Sequence, residues 1–174
     1  MDANSGWENK KVLRFYEIAP SGHPSYYWAE YPQPNDKRTY KVMGVRKRGD
    51  VVSDYVWSTR MVDVLRKCKA TGYSASLVKV LRNSDELRDY MRIRVTGKGG
   101  PLDRERSRAI MWKDESIFTH DAVYMDAAKW DGSDLFKIPE LGGRMFAVER
   151  VVNELKRIKP TNVSFIMSTK CSLP

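Results

Sequence analysis

The chain has 174 residues, a net charge of +9, 41% apolar residues and 30% charged residues, a composition typical of a globular protein rather than a disordered one. No apolar run approaches the roughly 20 residues that cross a bilayer, and the polar N-terminus lacks the apolar segment of a secretory signal. With only two cysteines and no CxxC motif, the sequence predicts a cytoplasmic protein.

The first 50 residues predict a strand-rich segment. KVLRFYEIA at 11–19 predicts a strand, YYWAEY at 26–31 a short strand or folded loop, and TYKVMGVR at 39–46 another strand. An Arg-Gly-Asp turn follows. We divide the chain into this N-terminal segment, residues 1–50, and a second segment, residues 51–174, and expect the two to form one compact unit.

The second segment contains one helix-then-strand unit twice, at about 56–80 and 146–168. Ser58 predicts the N-cap of the first helix, and Gly72, with Asn162 in its place in the second copy, predicts the left-handed residue that ends each helix. Apolar residues recur at helical spacing in both copies, which predicts one buried stripe per helix. The residues matched at an offset of 90 are Arg60 and Arg150, Val62 and Val152, Leu65 and Leu155, Lys69 and Lys159, Thr71 and Thr161, and Ser74 and Ser164.

These patterns predict an α+β fold, in which two related helix-then-strand units pack with antiparallel β-strands in one compact body. The predicted stripe of the first helix consists of Met61, Val62, Val64, Leu65 and Cys68, and that of the second of Val148, Val151, Val152, Leu155 and Ile158. The matched residues preserve backbone geometry and a buried face, which is typical of a duplicated scaffold rather than of a duplicated catalytic centre.

Motifs that would indicate a catalytic, metal-binding or phosphate-binding site are weak. GKGG at 97–100 lacks the Lys-Ser/Thr pair of a phosphate-binding loop, so we interpret it as a turn. His23 and His120 have no metal-ligand spacing with each other or with a cysteine, and the acids of DRERS at 103–107 alternate with arginines as a surface ion-pair patch does. We therefore expect no cofactor, no metal and no catalytic residues.

Aromatic and basic residues near the N-terminus predict a partner-binding surface, because Tyr, Trp and Arg carry most of the energy at protein interfaces. The alternative is that the aromatic residues belong to the core and the basic residues to a solvated turn. The candidate anchors are Tyr26, Tyr27, Trp28 and Tyr31, and the candidate residues for electrostatic steering are Arg46, Lys47 and Arg48.

Three stretches resemble one family. DLFKIPELGGRMFAVERVVNELKRIKPTNVSFIMS at 134–168 resembles the C-terminal signature of family eleven in the Imm series of bacterial polymorphic-toxin immunity proteins, first noted in myxobacteria. YVWSTRMVDVLRKCKATGYSASLVKV at 55–80 resembles the first helix–strand unit of that family, and PLDRERS at 101–107 its mid-chain motif. The chain departs from the family at Val148, where a capping serine is usual, and at Asn162, where glycine is usual.

The resemblance implies a cytoplasmic immunity protein without enzymatic activity, which binds a cognate toxin effector domain delivered in interbacterial competition. Because the chain carries +9, we expect the contact face of the toxin to be acidic. Two alternatives stay open at this stage. The high pI is compatible with a nucleic-acid-binding module, although the charge divides evenly between the two halves of the chain, and scattered carboxylates are compatible with a small hydrolase.

Overall fold

The computed structural model describes residues 14–20, 24–30, 39–45, 49–53, 55–82, 85–111 and 117–168. The described residues form two α-helices, α1 at Thr59–Lys67 and α2 at Glu149–Arg157. The strands are β1 Phe15–Pro20, β2 Pro24–Glu30, β3 Thr39–Val45, β4 Val51–Ser53, β5 Val56–Ser58, β6 Tyr73–Leu77, β7 Lys79–Arg82, β8 Asp85–Leu87, β9 Tyr90–Val95, β10 Gly97–Lys98, β11 Arg108–Met111, β12 Ile117–Ala122, β13 Leu135–Lys137, β14 Met145–Val148 and β15 Val163–Met167.

Each copy of the repeat forms a helix with a sheet. The first sheet has the order β4-β5-β9-β6, and the second has the order β10-β13-β14-β1-β15. The bounds of α1 and β6 match those of α2 and β15 at an offset of 90 residues without any adjustment. The predicted α+β fold with a duplicated unit is therefore confirmed.

In each copy, the strand that lies between the other strands of the helix-then-strand unit comes from a different position along the chain. We call it the fourth strand of the copy. In the first copy β9 follows β6 along the chain and lies between β5 and β6. In the second copy the same place, between β14 and β15, is taken by β1 from the start of the chain. The registers agree: Met91 of β9 pairs with Leu77 of β6, as Tyr16 of β1 pairs with Met167 of β15. The second copy is thus a circular permutation of the first.

The helix ends differ in part from the sequence prediction. Ser58 is the N-cap of α1, as predicted, and its Oγ accepts a hydrogen bond from the N–H of Met61 at 3.3 Å. Gly72 does not end the helix, because Lys69 already adopts the left-handed conformation, with φ 52°. The N–H of Ala70 then reaches the carbonyl of Leu65 at 2.9 Å, which closes the last turn. Gly72 is left-handed too, in the turn into β6.

The second helix repeats these end geometries with different residues. Lys159 is left-handed in the place of Lys69, and Asn162 in the place of Gly72. Val148 occupies the N-cap position and provides no side-chain hydrogen bond, as its apolar side chain predicts.

The predicted stripes form the core where the two helices meet the sheets. Met61, Val62 and Leu65 of α1 are fully buried, as are Val151, Val152 and Leu155 of α2. Val64, Cys68 and Ile158 are half-buried and pack against this core, and burial raises the pKa of the Cys68 thiol. The aromatic rings that extend the core under the second sheet are Phe15, Phe136, Phe146 and Trp130.

The described residues form two further sheets. A four-stranded sheet has the order β3-β2-β7-β8, and β11 pairs with β12 in a hairpin. In chain order, the hairpin β2–β3 lies between β1 and β4, and the hairpin β11–β12 lies between β9 and β13. Each hairpin therefore follows the last strand of one copy and precedes the first strand of the other. Within the described part of the chain, neither helix has the length and apolar character needed to cross a membrane.

Candidate functional site

Helices α1 and α2 lie side by side and antiparallel. Arg60, in the first turn of α1, donates from Nη1 to the carbonyl of Ile158 at the end of α2, at 3.0 Å. Arg150, in the first turn of α2, donates from Nη1 to the carbonyl of Cys68 at the end of α1, also at 3.0 Å. Each guanidinium thus lies at the negative end of the neighbouring helix, where a positive charge is stabilising.

A buried carboxylate holds each of these arginines. We name the first such cluster the Asp50 clasp, formed by Asp50, Ser58, Arg60 and Thr161. Arg60 donates to the Asp50 carboxylate from both Nε and Nη2, the Nε contact measuring 3.1 Å. Ser58 Oγ donates at 2.7 Å, and Thr161 donates from its N–H at 2.8 Å and from Oγ1 at 3.2 Å.

The second cluster, the Asp134 clasp, repeats this geometry with Asp134, Arg150 and Thr71. Arg150 Nη2 donates to Oδ2 of Asp134. Thr71 donates to the same oxygen from its N–H at 2.8 Å and from Oγ1 at 2.9 Å, and the N–H of Asp134 donates back to Thr71 Oγ1 at 3.1 Å. Val148 stands where the first clasp has Ser58, so this clasp lacks the hydrogen bond that the Ser58 hydroxyl donates to Asp50.

The two clasps interlock the copies. Each aspartate binds the arginine of the helix in its own copy and the threonine that follows the helix of the other copy. The Asp side chains are only 7% and 9% exposed, whereas both arginine side chains are 53% exposed. These contacts explain why arginine and threonine recur at an offset of 90. They also show that the clasps hold the two copies of the repeat together.

Burial and hydrogen bonding act in opposite directions on Asp50. Burial alone would raise the pKa of its carboxyl group, but the hydrogen bonds from Arg60, Thr161 and Ser58 and the charge of Arg60 outweigh burial, so the pKa lies below its ordinary value. A carboxyl group with a lowered pKa in the folded state stabilises the fold above its unfolded-state pKa, which is about 3.9. That stabilisation is lost as the pH falls through the folded-state pKa.

The acid dependence of stability should therefore change when Asp50 is replaced. In Asp50→Asn we expect lower stability than wild type at pH 7 and a shallower loss of stability between about pH 5 and pH 2, because the residue no longer takes up a proton on unfolding in that range. Urea titrations across this pH range measure both effects. Parallel pH curves for wild type and variant would show that the Asp50 clasp does not contribute as described.

An open cleft of about 260 Å³ lies beside the Asp50 clasp. Arg88, Asp89 and Tyr90 line it together with the clasp residues, so charges of both signs face the same space. Tyr90 donates from its hydroxyl to the carbonyl of Gly49 at 2.8 Å, which connects one wall of the cleft to the residue before Asp50. The mixed charge and the mutual hydrogen bonds favour a structural role for this cleft.

Three of the seven predicted partner-binding residues lie in the described part of the chain. Tyr26, Tyr27 and Trp28 lie on β2, which pairs with β3 on one side and with β7 on the other. Tyr31, Arg46, Lys47 and Arg48 lie outside the described residues. The assignment of these seven residues to a partner surface therefore stays a prediction.

The sequence analysis did not recognise that the two aspartates that organise the clasps are equivalent residues. Both are followed by apolar residues that start a strand, in DVV at 50–52 and in DLF at 134–136. The two aspartates are 84 positions apart rather than 90, because the connection from the first strand to the helix is six residues longer in the second copy. A comparison that allows a gap between strand and helix would have found them.

Comparison with known proteins does not place this α+β fold in a family: no family model matches the chain, and no curated protein matches its sequence. Among the described residues, no three His, Cys, Asp or Glu side chains are grouped to hold a metal ion.

Proposed function

We propose that this protein is a cytoplasmic immunity protein that neutralises a cognate toxin effector domain by direct contact, without turnover of its own. One observation carries the proposal. Asp134-Leu135-Phe136, which begins the C-terminal stretch that resembles the Imm family, is used entirely inside the scaffold. The Asp134 carboxylate is the acceptor of a clasp, and the side chains of Leu135 and Phe136 are fully buried.

A scaffold of this kind suits inhibition by contact. The two copies are locked together by hydrogen bonds from both sides, so the surfaces that they present need little ordering when a partner binds. The net charge of +9 favours fast capture of a partner with an acidic face, and an immunity protein must act before its toxin does damage. The residues that resemble the family belong to the scaffold, and the protein is strongly charged. Both observations support binding of the toxin by the exterior of the protein.

The proposal is tested by capture followed by a growth assay. A tagged form of the protein, expressed in its native host, should copurify with a toxin domain in a stoichiometric complex, while the tag alone should not. When that toxin domain is then expressed in a laboratory strain, co-expression of this protein should restore growth. A captured domain that is not toxic, or toxicity that persists at equal expression, would contradict the immunity function. Hydrolysis of a nucleic acid or a protein by the purified chain would favour an enzyme instead.

A further inference from the structure

The positive charge of the chain is concentrated on the helix pair. Residues 59–69 and 149–159, which form α1, α2 and the turn after each helix, contain eight Lys or Arg and three Asp or Glu. These 22 residues therefore carry +5 of the net charge of +9. Along the chain this charge is divided between two distant stretches, and the fold brings the two stretches together.

The antiparallel arrangement divides this charge into two clusters at opposite ends of the pair. The last turn of α1 and its left-handed residue place Arg66, Lys67 and Lys69 at one end, and α2 places Lys156, Arg157 and Lys159 at the other. All six side chains are exposed. A helix of nine residues is about 14 Å long, so the two clusters lie roughly that far apart.

Within the described residues, the four lysines of these clusters form no ion pair with a carboxylate. Arg66 pairs with Asp63 at 2.9 Å and Arg157 pairs with Glu154 at 2.6 Å, but none of the lysines has such a partner. The four are Lys67, Lys69, Lys156 and Lys159. An acidic ligand can therefore bind them without displacing an existing carboxylate partner of the described residues.

The middle of the helix pair carries two carboxylates, each paired with an arginine of a basic cluster. Asp63 lies near the centre of α1 and Glu154 just beyond the centre of α2, whereas Glu149, in the first turn of α2, pairs with Arg14. A nucleic-acid duplex presents a continuous row of phosphates, and part of that row would face these two carboxylates. A protein face with two separate acidic clusters matches the pattern without this repulsion.

We propose that the exposed face of α1 and α2, with its two basic clusters, is the docking surface for a protein partner that presents two Asp/Glu clusters about 14 Å apart. This inference rests on the proposed function and names the surface that the immunity protein uses. It places electrostatic recognition on the helix pair, whereas the sequence alone had suggested Arg46, Lys47 and Arg48.

Two variants with equal charge test the proposal. The first neutralises the four lysines, as Lys67→Gln, Lys69→Gln, Lys156→Gln and Lys159→Gln. The control neutralises four exposed basic residues elsewhere, as Arg94→Gln, Lys98→Gln, Arg104→Gln and Lys129→Gln. Each variant lowers the net charge by four, so a difference between them reports position and not total charge. Thermal unfolding checks that both variants are folded. The NMR titration of the wild type locates the binding surface without any variant.

The probes are a two-cluster peptide, which carries two runs of glutamate joined by a neutral spacer of about 14 Å, and a duplex DNA of about 20 base pairs, both at low salt. On the wild type, the two-cluster peptide should shift the backbone amide signals of residues 66–69 and 156–159 in an NMR titration. It should bind the lysine variant about tenfold more weakly, because four favourable charge contacts are lost, and the control variant less than about twofold more weakly.

Three outcomes would overturn the docking surface. These are equal weakening of both variants, amide shifts that cluster away from the helix pair, or DNA that shifts the same amides at a lower concentration than the two-cluster peptide does. The capture and growth assay is independent of these results, so the immunity function can survive the loss of this surface. If the growth assay fails while the two-cluster peptide binds at the helix pair, the basic face stands and the proposed function does not.

Discussion

Arg60→Ala and Arg150→Ala should each lower the free energy of unfolding by about 2–4 kcal/mol. Each substitution removes the ion pair of an aspartate whose side chain is less than a tenth exposed, and it also removes the cation at the end of the neighbouring helix. The carboxylate stays buried without its guanidinium. Because alanine is a strong helix former, the loss of stability reports the clasp rather than helix propensity.

The chain contains a matched control in each helix. Arg66 and Arg157 form ion pairs with Asp63 and Glu154 three residues away, on the exposed surface of the same helices. Arg66→Ala and Arg157→Ala should therefore cost less than about 1 kcal/mol each. Urea titration of all four variants measures the contrast. Losses of similar size at the clasp and surface positions would show that the clasps do not hold the copies together.

Deletion of residues 1–20 should abolish cooperative unfolding. The deletion removes β1 from the middle of the second sheet, and β14 and β15 then lose the strand that pairs with both of them. It also removes the buried side chains of Phe15, Tyr16 and Ile18 from the core. These losses are as large as the whole stability of an ordinary domain, about 5–15 kcal/mol, since three large buried side chains alone contribute roughly 2–5 kcal/mol each.

The same strand in a different place along the chain should restore the fold. A circular permutant that joins residue 174 to residue 1 and opens the chain between residues 20 and 24 places β1 after β15, as β9 follows β6 in the first copy. We expect this permutant to unfold cooperatively, with the near-ultraviolet circular dichroism of the wild type. A permutant as unfolded as the deletion would show that β1 does not complete the second copy in the way that β9 completes the first.

The features that the sequence predicted correctly are local. Ser58 caps α1 because its hydroxyl lies within three residues of the N–H that it accepts from, and the buried stripes follow from helical periodicity. The end of α1 was assigned to the wrong residue because glycine is the usual left-handed residue, yet Lys69 adopts this conformation when the last turn closes on it.

The features that the sequence did not predict depend on distant pairs. Asp50 meets Thr161 across 111 positions, and Asp134 meets Thr71 across 63, so no local pattern joins them. The correspondence of β1 with β9 was hidden for a different reason. Strand pairing is made by the backbone, so Tyr16 can stand where Met91 stands with no similarity in the side chain.

The position of β1 also sets the order of events during synthesis. β1 is made before the strands on either side of it, which lie at 145–148 and 163–167. At 5–20 residues per second, β1 waits roughly 7–30 s for its second partner, while β4 to β9 can pair as soon as residues 51–95 have emerged. The apolar side chains of Phe15, Tyr16 and Ile18 stay without their native neighbours throughout that interval. The nascent chain is therefore expected to depend on chaperones that cover β1 until β14 and β15 have emerged.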